Sequence, residues 1–246
     1  MALPKINAPI FELNLPSNGK PVKYRPFLVK EQKVLLMSME SGDNIAIFNA
    51  IKQIIGNCSV DDINVDKMPI FDLEYFFLRL RSKSIGEEVE LNLRHPTGFN
   101  SRGNQCEHVT QRKLNLLEVE VHKTLNHEDK IVLDEETGIG VKFKYPNGEI
   151  SAEFDPEDEK TQMDIASDAI INCIDYIFDK ENIYKKEDST KDELIDFIDS
   201  LSQSQFQKLS SFFDTMPKLK HTIKWKCQGC GCEEEVTLEG LANFFG

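Results

Sequence analysis

A chain of 246 residues, 40% of them hydrophobic, is long enough to bury one large core or two smaller ones. Its formal net charge of -13 repels a phosphate backbone and argues against a sequence-independent nucleic-acid binder. It has no apolar run of bilayer length, no signal-like start and no dense cysteine spacing, so a soluble protein of a reducing compartment is expected.

In chain order, Ile10–Leu15 alternates, Pro16–Gly19 turns, and Val22–Tyr24 resumes, which predicts a β-hairpin over 10–24. From Val29 the apolar spacing becomes helical, with Val34, Leu35 and Met39 on one helix and Ile47, Ile51, Ile54 and Ile55 on a second. The break falls near Ser41-Gly42. Met68–Arg81 reads as a third helix, with Pro69 in its first turn and Leu73, Phe76, Phe77 and Leu80 on a broad core face. Gly86 ends it, and alternating runs at Glu88–Leu93 and Val109–Val121 predict a second hairpin over 87–121. A third is expected over 130–145, around Asp134–Gly138. The polar, acidic stretch Gly148–Asp158 is the best seam, dividing the chain into 1–148 and 149–246, or joining both in one integrated domain.

The second part reads as helical before a final hairpin. Met163, Ala166, Ile170, Cys173, Ile174 and Ile177 form one helical stripe, which makes Cys173, like Cys58, a core residue. Thr190 and Glu193 make a capping box, and Ser202 or Ser204 caps the next helix, which Pro217 stops. The fourth hairpin spans 221–238. The expected fold class is therefore α+β, with antiparallel β-hairpins, interleaved helices and a helical second half ending in a zinc-ribbon-like hairpin.

The tip of that last hairpin carries the most specific chemistry. Cys227-Gln-Gly-Cys230-Gly-Cys232 is a glycine-flanked knuckle that can aim two thiolates at one metal ion. A closed structural zinc needs four ligands. Cys106, at the tip of the second hairpin, can join Cys227 and Cys230, with Cys232, His108 or His95 as the fourth. The alternative is that these are free thiols in turns. No phosphate-cradling glycine loop, nucleophile elbow or HExxH motif is present, and no residue argues for an enzyme. A zinc-dependent hydrolase would in addition need an open metal position.

Beyond single motifs, ordered segments resemble the baseplate hub proteins of T-even-type contractile-tailed bacteriophages, in the family that includes the hub assembly catalyst. They are Met1–Lys5, Lys23–Glu31, Phe71–Glu87, Phe212–Lys224 and Leu238–Phe245, which run from one end of the chain to the other. The resemblance implies a late viral protein acting as a tail-assembly chaperone or minor baseplate component. It implies no enzyme chemistry and no required cofactor; a structural zinc is suggested by the knuckle alone. It also implies hub or tape-measure proteins as partners, and a place in the host cytoplasm during assembly or in the virion tail. Arg79 and Arg81, after the aromatic helix, and the terminal Phe244 and Phe245 are the surfaces offered to such a partner, each equally readable as an ordinary solvated or buried face, with the two phenylalanines favoured to close the core. A zinc-ribbon regulator that binds protein is the alternative class.

Overall fold

The computed structural model describes residues 7–149 and 161–244. In chain order these begin with β1 (Phe11–Asn14), β2 (Pro21–Tyr24), α1 (Val29–Ser41), α2 (Asn44–Cys58), α3 (Ile70–Ser84), β3 (Glu88–Leu93) and β4 (Thr110–Asn115). Next come β5 (Glu120–His122), β6 (Lys130–Val132), β7 (Gly140–Phe143), α4 (Gln162–Cys173), β8 (Ile174–Phe178) and β9 (Ile183–Lys185). The chain closes with α5 (Lys191–Asp199), α6 (Gln203–Thr215), β10 (Lys218–Lys226) and β11 (Glu233–Glu239). The fold is mixed α and β with antiparallel sheets.

The chain divides into two compact units, residues 1–122 with 218–246, and residues 123–217. This differs from a seam near 148. The last hairpin belongs with the first half because β10 pairs on one side with β11 and on the other with β5, Lys218 opposite His122 and Lys220 opposite Glu120. Most of the expected linker, residues 150–158, lies outside the described residues.

In the first unit, α3 is the central element. Leu73, Phe76, Phe77, Leu78 and Leu80 are each no more than 2% exposed, so this helix is covered on nearly every side. The break between α1 and α2 falls where expected, because Gly42 takes φ 69°, a left-handed C-cap that a side chain would strain. Asp43 then accepts from the Ile45 amide and starts α2. The expected strand Val109–Val121 is divided. Asn115 accepts from the Leu117 amide, a 3-10 turn follows over Leu116–Glu118, and β5 leaves β3 to join β10. Arg79 fixes that turn by donating to the carbonyls of Leu116 (2.7 Å) and Val119 (2.9 Å).

In the second unit, β6, β7, β8 and β9 form one sheet, and α4, α5 and α6 supply the apolar cover. Thr161, Thr190 and Ser202 cap their helices with reciprocal capping boxes. The expected helical stripe ends four residues early. Ile174 turns extended, and Ile174–Phe178 is strand β8, so the unit is not purely helical. Ile-Asp-Tyr-Ile-Phe is rich in β-branched and aromatic residues, and pairing with β7 outweighs one more helical turn.

Candidate metal centre

Two hairpin tips meet at the site. The 94–109 loop between β3 and β4 carries His95 and Cys106, and the 227–232 loop between β10 and β11 carries Cys227 and Cys230. One ligand atom from each of these four residues lies within 4.8 Å of all the others. Cys106 Sγ and Cys227 Sγ are 3.6 Å apart, and Cys230 Sγ is 3.4 Å from His95 Nε2. Tetrahedral bonds of about 2.3 Å to sulfur separate ligands by roughly 3.5–4 Å. The spacing therefore suits one ion at the centre.

Local backbone geometry builds the knuckle. The Cys227 amide donates to the Cys232 carbonyl (2.8 Å) and the Gly231 amide to the Cys227 carbonyl (2.9 Å), with Gly231 at φ 72°. The opposing loop folds around Asn100, whose Oδ1 accepts from the amides of Arg102 and Asn104, while the Cys106 amide donates to the Gly98 carbonyl. Thr110, fully buried, ties the tips together by accepting from the Gln228 amide at 3.1 Å. Gly229 is needed for that approach, since a Cβ there would sit 2.6 Å from the Cβ of His108.

The electrostatics prepare thiolates. The Cys232 amide, helped by Asn100 and the neighbouring thiols, pulls the Cys230 pKa from 9.0 to about 6 against the effect of burial. Cys227 is lowered by the Cys230 amide, with the Gly229 amide and His95 adding to it. Cys106 moves upward: the His108 amide lowers its pKa, but burial and hydrogen bonding with Cys227 and Cys230 outweigh it. For His95, burial opposes the charged form, and the contacts with Cys227 and Cys230 overcome it, raising the pKa. Three sulfurs and an imidazole are a donor set for a borderline-soft divalent ion, and among the described residues they make a group of four.

Of the cysteines named from sequence, Cys106, Cys227 and Cys230 converge, and Cys232 does not. Its sulfur is buried beside Cys230, and burial followed by that neighbour raises its pKa. The fourth member of the cluster is His95, which leads directly out of β3 and is 3% exposed. His108 is exposed, with its amide directed at Cys106. The expected partner surfaces fare differently. Arg79 is 8% exposed, and its guanidinium serves two internal carbonyls, Glu120 and the ring of Tyr75, so it is an internal clamp. Phe244 is fully buried and closes the core beside Leu241, and Phe245 lies outside the described residues. Arg81 is half-buried at the edge of an apolar groove formed with Leu36, Met39, Phe48 and Ile51.

No helix among the described residues is long and apolar enough to cross a membrane. No curated protein and no solved structure matches the chain at a significant level. The family model described as T4 bacteriophage base plate protein matches residues 8–246, nearly the whole chain. The expected resemblance to T-even-type baseplate proteins thus holds over residues 8–246, and the chain belongs to the T4 bacteriophage base plate protein family.

Proposed function

We propose that this chain promotes assembly of the baseplate hub of a contractile-tailed phage by binding other baseplate proteins, as a tail-assembly chaperone or minor baseplate component. The observation that carries the reading is the family match over residues 8–246. Its partners are hub or tape-measure subunits, met in the host cytoplasm during assembly, and its work involves no covalent catalysis. In this reading the Cys/His cluster holds a zinc ion that braces two hairpin tips, and the end of the chain is zinc-ribbon-like in that limited sense. The four protein ligands support a brace over a reaction centre, because a catalytic zinc keeps a position for water.

Deletion of the gene in the phage tests the role. Replication and heads are expected to be normal while hubs or whole tails fail to form, and complementation restores them. Mass spectrometry of complexes from infected cells then identifies the partner. Normal infectious particles from a complete deletion would end the assembly reading. The second reading, a zinc-ribbon regulator that binds protein, is favoured by the cluster alone, and predicts altered late protein levels instead of a tail defect.

A further inference from the structure

Three consecutive glutamates, Glu233-Glu234-Glu235, open β11, and in sequence they look like a solvated acidic run. The strand period separates them. Glu233 and Glu235 are exposed, while the middle side chain turns inward, 18% exposed, opposite Trp225 in the β10–β11 register. Its Oε1 lies 2.9 Å from His95 Nδ1, and the same oxygen accepts from the Ser101 amide, also at 2.9 Å. The Trp225 ring packs against the His95 ring, with centroids 5.3 Å apart.

We propose that Glu234 is the positioning residue of the zinc centre: its carboxylate holds the Nδ1–H of His95 and thereby commits Nε2 to the metal. The inference rests on reading the cluster as a zinc site. A carboxylate only accepts, so the imidazole nitrogen facing it carries the proton, and the other nitrogen is left with its lone pair toward Cys230. The Ser101 amide fixes the carboxylate in turn, and Trp225 limits rotation of the ring. Such outer partners set ligand orientation and basicity, and their removal weakens metal affinity by roughly 10–100-fold. Glu234 also crosses between the loops, reaching from β11 to a ligand and an amide of the 94–109 loop, so the ligand geometry and the docking of the two tips share one carboxylate.

The test uses the full chain as wild type, Glu234→Ala, Glu234→Gln and Glu235→Ala. Zinc affinity is measured by competition with a chelating indicator, and the His95 ring nitrogens are followed in long-range proton–nitrogen spectra of the zinc-loaded proteins. Glu234→Ala is expected to weaken zinc binding by roughly 10–100-fold and to release the fixed Nδ1–H form of His95. Glu234→Gln keeps an acceptor in place without the charge, and should restore the tautomer and part of the affinity. Glu235→Ala should match wild type. Wild-type affinity in Glu234→Ala would overturn the inference while leaving the zinc site standing. So would a weakened site in which His95 keeps its fixed tautomer, because the loss would then belong to the Ser101 contact. Failure of the wild type to bind zinc would overturn the zinc reading itself, and this inference with it.

Discussion

The apolar interior of residues 123–217 and the hairpin tips of the other unit treat cysteine and histidine in opposite ways. In residues 123–217, Cys173 lies among hydrocarbon, and burial pushes its thiol up to about 12. His127 stacks near Tyr145 and Phe212 and hydrogen-bonds to Thr215 through Nδ1, and burial lowers its pKa while its Nε2 has no hydrogen-bond partner among the described residues. At the hairpin tips of the other unit, backbone amides aim at Cys227 and Cys230, and His95 is raised by thiol neighbours. The same residue types are inert filler where the surroundings are apolar, and a candidate ligand set where amides and a carboxylate converge. Spacing alone does not distinguish these outcomes; the polar hydrogens around each sulfur do.

The largest way to sharpen that contrast is to open a cavity in the apolar unit. Phe212 is 1% exposed and stacks on Phe143 at 4.6 Å. Phe212→Ala should cost about 3–5 kcal/mol in chemical denaturation. Zinc affinity should stay at the wild-type level, because this unit supplies none of the four ligands. A parallel loss of zinc binding would mean the two regions do not behave separately.

A smaller effect is expected at the meeting of the tips. Gly229→Ala puts a methyl into the space held by His108, and overpacking of this kind costs about 1–3 kcal/mol. The cost should appear as faster hydrogen exchange in the 94–109 and 227–232 loops and not in residues 123–217. Uniform destabilisation would contradict the local account.

The smallest effect concerns pH. His127 has a folded pKa below its ordinary 6.5 because burial disfavours its charged form. The unfolded chain therefore binds more protons in the window below 6.5, and stability rises with pH there. Its contribution is present above 6.5 and is lost as pH falls toward the folded value. Denaturation midpoints of the second unit should fall on acidification, and His127→Phe should flatten the slope. A midpoint that rises on acidification would reverse the sign and defeat the assignment.

Much of the fold was legible because its signals are local. Gly42, Thr190 and Ser202 mark helix ends through backbone conformation and capping, and four hairpins follow from period-two runs. What was not legible depended on long-range pairing. The departure of β5 toward β10 is set by Arg79, 37 residues before Leu116, and β8 becomes a strand only because β7 and β9 flank it. The site shows the same division. Cys227, Cys230 and Cys106 can be chosen from tip positions, whereas the preference for His95 over Cys232 depends on how the 94–109 loop closes around Asn100. Arg79 carries a charge that suggests exposure, yet unsatisfied carbonyls draw it inward, whereas the favoured reading of the terminal aromatics as core closure holds for Phe244.

The most direct test is native mass spectrometry of the full chain purified without chelator, paired with hydrogen exchange before and after metal removal. The account predicts one zinc per chain and none in Cys230→Ser. Chelation should speed exchange in the 94–109 and 227–232 loops while residues 123–217 stay protected. A metal-free protein whose two loops are as protected as the rest, with or without chelator, would contradict it.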